Sequence, residues 1–183
     1  MRVFVAFDLP DFVKSKILKL EDMIKKKSRK IRLVGRDNMH ITLKFLGEQP
    51  YQAVNRIVEL AGEVAKRHSP FEINLNRAGV FKDLVNPRVL WLGEENGEYV
   101  NITNDINEKL DIFRLSDNSP FCHLTIGRMK WIEKGEVLDV LSLCRDFLNR
   151  ERIGFSVNSF YLYESILSPK GAVYKKIEKF SLR

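Results

Sequence analysis

A chain of 183 residues with 44 % apolar and 30 % charged side chains is long enough to bury a core and too apolar to be disordered. Its 31 basic against 24 acidic residues leave a net charge of +7, which favours a polyanionic partner, nucleic acid ahead of an anionic membrane surface. No apolar run approaches bilayer length, residues 1–8 are too short and too soon charged for a signal peptide, and Cys122 and Cys144 make no disulfide framework. A cytoplasmic protein without a membrane partner is expected.

Residues 2–7 are apolar enough for a central strand. Pro10 and Asp11 then open a helix in which Phe12, Val13, Ile17, Leu20 and Ile24 keep helical spacing to about Lys26. A basic run follows at 25–32, six of its eight residues Lys or Arg. It reads either as a solvated helix end, where cations suit the negative end of the helix dipole, or as a patch that tracks RNA phosphates. Residues 31–34 predict a short strand, 35–38 a turn, and 40–45 a strand ended by Gly47.

Residues 51–67 predict a second helix, with His68 at its end as a cap rather than a catalyst. Strands follow at 71–75 and 88–92, a third helix at 99–113, a loop at 116–120 and a strand at 121–129. A fourth helix at 135–149 leads to strands at 154–157, 160–165 and 174–180, the last two joined by a hairpin-like turn at 168–171.

Two of these strands carry the same pattern. Met39-His40-Ile41-Thr42-Leu43-Lys44-Phe45 recurs in altered form as Cys122-His123-Leu124-Thr125-Ile126-Gly127-Arg128. The chain has three histidines and three threonines, and two of the histidines have a threonine two places on, a coincidence expected roughly once in a thousand shuffled sequences. Strand alternation puts residues i and i+2 on one face, so each copy presents an imidazole beside a hydroxyl while its aliphatics face a core. The copies lie 83 residues apart, right for two similar lobes. The expected fold is α+β: two pseudo-symmetric lobes of antiparallel sheet backed by helices, one bilobal domain over residues 1–183, with both His-X-Thr strands lining a central cleft.

Histidine alone has an ordinary pKa, roughly 6.5, that lets one copy be neutral and another protonated near neutral pH. Two on opposite sides of a substrate serve as base and acid in one step. Hydrolysis of a strained cyclic phosphodiester fits: one imidazole takes a proton from water, the other gives one to the departing oxygen, and the Thr42 and Thr125 hydroxyls hold the non-bridging oxygens. Such chemistry asks for no metal and no cofactor. A metal site would want a third protein ligand, and no Gly-X-Ser-X-Gly elbow supports a serine hydrolase. The rival reading is a non-catalytic module that holds phosphate-terminated RNA ends in the same groove.

The chain resembles the 2H phosphoesterase superfamily, in particular the bacterial and archaeal RNA 2′,3′-cyclic phosphodiesterases, also called 2′-5′ RNA ligases. The resemblance rests on residues 2–10, His40 to Gly47, His123 to Arg128, and Leu162-Tyr163-Glu164-Ser165 with Gly171-Ala172-Val173-Tyr174. It implies opening of 2′,3′-cyclic phosphate RNA ends to 2′-phosphate ends, and a reversible or side activity joining tRNA halves through a 2′-5′ bond; a monomer is expected. It further implies His40 as proton donor to the 3′ oxygen, His123 as proton acceptor that activates water, and Thr42 and Thr125 on the phosphate. Arg128 matches a substrate-side arginine, although strict alternation from His123 would turn it to the core unless the strand bulges. Phe7 matches an aromatic that stacks on a base, and Lys44, on the His40 face by alternation, is a further phosphate contact.

Overall fold

The computed structural model describes residues 1–113, 120–169 and 171–183; the loop expected at 116–120 lies, but for Pro120, outside them. The chain runs β1 (Arg2–Asp8), α1 (Asp11–Lys27), β2 (Ile31–Leu33), β3 (His40–Glu48), α2 (Tyr51–Ala65), β4 (Phe71–Leu75), β5 (Arg77–Phe81), β6 (Val89–Glu94), α3 (Gly97–Lys109), β7 (Cys122–Met129), α4 (Lys134–Arg150), β8 (Ile153–Val157), β9 (Ser159–Ser168) and β10 (Gly171–Ser181). Pro10 caps α1 at its N-terminus with φ −60°, and Val13, Ile17, Leu20 and Ile24 form its buried stripe. Helix α3 starts two residues before the sequence suggests, because the Asn96 side chain accepts the Tyr99 N–H at 2.9 Å and so satisfies one of the unpaired donors of the first turn.

An eight-stranded sheet runs β10-β9-β1-β3-β7-β6-β5, with β2 also on β7, and β4 and β8 form a separate two-stranded ribbon. Among the described residues all of the pairings are antiparallel. The fold is α+β as expected. Its two halves are joined at the two motif strands, where β3 and β7 share one register pair, Ile41 with Leu124.

Strand β5 is absent from the sequence reading because Gly79 interrupts its pattern. The structure explains the glycine: the Trp91 ring of β6 occupies the space a side chain there would need.

One face of the sheet and the helices enclose the main core. Val3, Val5, Phe7, Ile41, Leu43, Leu92, Leu124 and Ile126 point into it and meet Ile17, Ile57, Ile102 and Val140 from the four helices. Burying each such side chain stabilises the fold by about 1.5–3 kcal/mol before conformational entropy is set against it. Phe4, Ala6 and Tyr163 form a small separate cluster with Tyr161 and Tyr174. Among the described residues no helix is long and apolar enough to cross a membrane.

Two matched irregularities shape the motif strands. Along β1 and β3 the register steps from Val5–Lys44 to Ala6–Thr42, leaving Leu43 as the extra residue. Along β6 and β7 it steps from Trp91–Thr125 to Leu90–Gly127, leaving Ile126 as the extra residue. Each is a bulge one place after the threonine of its motif, and each flips the alternation beyond it.

Candidate active site

The two bulges decide which side chains share a face with the histidines. A cleft of about 710 Å³ is lined by His40, Thr42, Phe45, His123, Thr125 and Arg128, together with Arg32, Asn38, Phe81, Val89 and Tyr174. Both imidazoles, both hydroxyls and Arg128 therefore meet in one place. Arg128 reaches the cleft by the bulge at Ile126, against strict alternation.

Two expected substrate contacts lie elsewhere. Lys44 is 1 % exposed, because the bulge at Leu43 turns it away from the His40 face, and its Nζ donates to Asn107 Oδ1 of α3 at 3.0 Å. Phe45 takes the cleft position instead and is 41 % exposed. Phe7 is fully buried against Phe71, Tyr99 and Phe160, with ring centroids 5.7, 6.4 and 6.3 Å away, so no base stacks on it. The β1 aromatic on the site side is its neighbour Phe4, which packs beneath His40 at 5.0 Å.

The two histidines are held alike. His40 Nδ1 lies 2.7 Å from the Asn38 carbonyl and His123 Nδ1 lies 2.8 Å from the Phe121 carbonyl, each two residues back along the chain. A carbonyl only accepts, so in each ring Nδ1 carries the proton and Nε2 is left with its lone pair. Aromatic edges fix the planes. Tyr174 stands T-shaped to His40 at 5.1 Å, and Phe81 stands T-shaped to His123 at 4.7 Å. The Tyr99 hydroxyl donates to the Thr42 carbonyl at 2.6 Å and ties β3 down onto α3. Asn38 Nδ2 donates to the Ala172 carbonyl at 3.0 Å, which holds the β9–β10 hairpin against the cleft rim.

Burial pushes His40 down to about 4, against the Asn38 hydrogen bond, and the nearby His123 lowers it further. Burial also lowers His123, opposed by its hydrogen bond to Phe121. Both rings are thus neutral near pH 7 in the free protein and ready to act as bases. Asp8, opposite His40 on β1, favours the charged form of that ring. Burial would raise the Asp8 carboxyl, but hydrogen bonds from Lys14 and Lys176 hold it below the usual carboxylate range. Among the described residues no group of three or more His, Cys, Asp or Glu is placed to hold a metal ion.

The remaining sequence candidates sort cleanly. His68 lies away from the cleft lining, and its Nε2 sits 2.9 Å from Asp105 Oδ2, so its ring ties to α3 and not to the end of α2 it was expected to cap. In the basic run, Lys25, Lys27 and Lys30 pair with Asp22, Asp139 and Glu136, while Arg32 at the end of the run lines the cleft. Phe45, Tyr174, Phe81 and Arg32 are cleft residues that pattern reasoning did not select as site residues. For Arg32 the basic run was a usable signal; for Phe45 only the bulge reveals it.

The sequence model of a family described as "LigT like Phosphoesterase" matches residues 7–91. A protein of Methanocaldococcus jannaschii named RNA 2′,3′-cyclic phosphodiesterase is 34 % identical over 182 residues, 98 % of this chain and 100 % of its own length. One of the same name from Archaeoglobus fulgidus is 35 % identical over 182 residues, 98 % of this chain and 99 % of that protein. Among solved structures, TT0787 of Thermus thermophilus superimposes with a TM-score of 0.82 at 25 % identity, covering 100 % of this chain and 98 % of that one. Apo LigT of E. coli shares the fold with a TM-score of 0.75 at 24 % identity, covering 99 % and 96 %. Matched nearly end to end by relatives of this kind, the chain belongs to the LigT-like phosphoesterase family.

Proposed function

We propose that this protein hydrolyses 2′,3′-cyclic phosphodiester ends of RNA to 2′-phosphate ends, using its two histidines as an acid–base pair. The observation that carries the reading is the paired presentation of His40 and His123 in one cleft, each with Nδ1 bound to a backbone carbonyl and Nε2 left to exchange a proton. The name shared by full-length relatives supports the substrate class.

In the forward step water attacks phosphorus in line with the 3′ oxygen. His123 Nε2 takes a proton from that water as the new P–O bond forms, and protonated His40 gives its Nε2 proton to the 3′ oxygen as the P–O3′ bond breaks. The Thr42 and Thr125 hydroxyls donate to the non-bridging oxygens, where charge grows, and Arg128 and Arg32 balance that charge. A bound phosphodiester anion offsets the burial that keeps His40 neutral, and Asp8 acts in the same direction. The substrate thus helps to charge its own acid.

The same pair acting in the same direction, with an RNA 5′ hydroxyl in place of water, joins ends through a 2′-5′ bond: His123 takes the proton of the 5′ hydroxyl as its oxygen bonds phosphorus and His40 protonates the departing 3′ oxygen, which is how halves of a tRNA would be handled. Both histidines and both hydroxyls come from one chain, which supports a monomer acting as a single bilobal unit. The buried free thiols of Cys122 and Cys144 suit a reducing compartment and so a cytoplasmic setting.

The test is incubation of a short RNA ending in a 2′,3′-cyclic phosphate, with the product read by its sensitivity to phosphatase. A 2′-phosphate end is expected. Tight, salt-sensitive binding without turnover would replace the enzyme with an RNA-end-binding module.

A further inference from the structure

Beyond the end of β7 the indole of Trp131 stands 93 % exposed, on a backbone with φ +56°. That left-handed conformation is costly for a bulky residue and persists only where the surroundings impose it. A large aromatic side chain pushed fully into water has no packing role to account for it.

Beside the indole is a second cavity of about 330 Å³ between the β5–β6 and β7–α4 loops, lined by Val85, Arg88, Lys130 and Trp131, with Glu133 as its acidic member. Val85 is itself 69 % exposed. This cavity adjoins the catalytic cleft. Arg88 directly precedes Val89, Val89 is the register partner of Arg128, and both Val89 and Arg128 line that cleft. Arg128 and Trp131 are three residues apart, so the chain allows at most about 11 Å between their Cα atoms.

An aromatic face separates this surface from the basic run at 25–32, which holds no aromatic residue and in which, among the described residues, only Lys26, Arg29 and Arg32 form no ion pair. There, Lys25, Lys27 and Lys30 are each matched by an acid. Among the described residues Arg88, Arg128 and Lys130 form no ion pair, so a line of open cations leads from the cleft to the indole. An open aromatic face flanked by cations is the chemistry that holds single-stranded nucleic acid, with bases stacked on the ring and phosphates near the charges.

We propose that Trp131, with Arg88 and Lys130, is a stacking platform for the RNA strand outside the cleft, taking a base near the nucleotide that bears the cyclic phosphate. The platform rests on the phosphodiesterase reading for its geometry and adds an RNA-length preference to it. It makes an oligonucleotide a better substrate than a mononucleotide.

The experiment compares a 2′,3′-cyclic mononucleotide with a short RNA carrying the same end. Trp131→Ala should raise KM for the RNA about tenfold, as loss of one base–aromatic stack does, with kcat and all mononucleotide constants unchanged. Trp131→Phe should recover most of the loss. Replacing Arg88 and Lys130 together by Ala should reduce the salt dependence of RNA binding by about 1.4 in logarithmic slope, the share of two phosphate contacts on a single strand. Titration with an RNA ending in a 2′-phosphate should quench the Trp131 fluorescence, and this quench should vanish in Trp131→Phe. Equal constants for wild type and Trp131→Ala on the RNA, or no quench, would overturn the platform and leave the indole to a protein partner. If wild type turned over neither substrate, the quench would still decide the platform while the phosphodiesterase reading fell.

Discussion

The two motif strands use one backbone device and fill it differently. In both, a histidine donates Nδ1–H to a carbonyl two residues back, a threonine follows at i+2, and a bulge one place later swings the residue three after the threonine into the cleft. That residue is Phe45 in β3 and Arg128 in β7. One place earlier stands Lys44, buried under α3, against Gly127, where a side chain would meet Ile31 Cγ2 at 2.6 Å because β2 crosses there. The two copies thus share the His-X-Thr face and differ in what the bulge brings beside it. We propose a division of labour, the β3 half offering an aromatic face to a nucleoside and the β7 half a cation to the phosphate.

Loss of either imidazole is the largest expected effect. His40→Ala and His123→Ala should each lower kcat/KM on a 2′,3′-cyclic nucleotide by about 10³-fold or more, with Tm little changed. The double variant should be scarcely worse than either single one, since neither imidazole works without the other. A double variant slower by the product of the two would show independent roles and break the pairing.

Next come the hydroxyls. Thr42→Val and Thr125→Val each remove a donor to developing charge and should cost about 10²-fold in kcat. Similar losses in the two would sharpen the symmetry; a loss confined to one would show that the phosphate leans on a single half.

The position after the bulge is where the halves should part. Arg128→Ala should lower kcat by about tenfold or more, whereas Phe45→Ala should act chiefly on KM, by about tenfold, as removal of a stacking surface does. Steady-state kinetics on cyclic nucleotides reads both. Equal effects on kcat would deny the division of labour.

The pH profile comes next in size. Catalysis needs one ring neutral and one charged, and both rings lie below the ordinary histidine value in the free protein, His40 at about 4. Above both values the correctly protonated fraction falls as pH rises. We therefore expect kcat/KM to peak on the acid side of 6.5 and to drop about tenfold per pH unit beyond it. The kcat profile should lie at higher pH, because bound substrate favours the charged ring. An optimum of kcat/KM above pH 8 would contradict the burial of these rings.

The smallest effect is expected at Lys44. Lys44→Met should leave kcat/KM within about twofold, since its side chain lies away from the cleft, and thermal unfolding should register the loss of its buried contacts instead.

Much of this was legible in the chain. Helical spacing marked α1, α2, α3 and α4, because each buries one apolar stripe and the 3.6-residue period is local. The repeated His-X-Thr pattern marked the four side chains that meet in the cleft, because neighbouring positions on one strand face need no knowledge of the rest of the fold. What alternation could not carry was everything past an irregularity. Lys44 was expected on the ligand face, and one extra residue at Leu43 put Phe45 there in its place. Phe7 shows the complementary error: its strand was expected, but which face the helices would cover depends on packing between distant segments. Composition, pattern and pairing by sequence therefore determined the elements and the side chains of the two motifs. Register between strands, bulges and the choice of covered face were decided only in three dimensions, because they depend on partners that local sequence does not name.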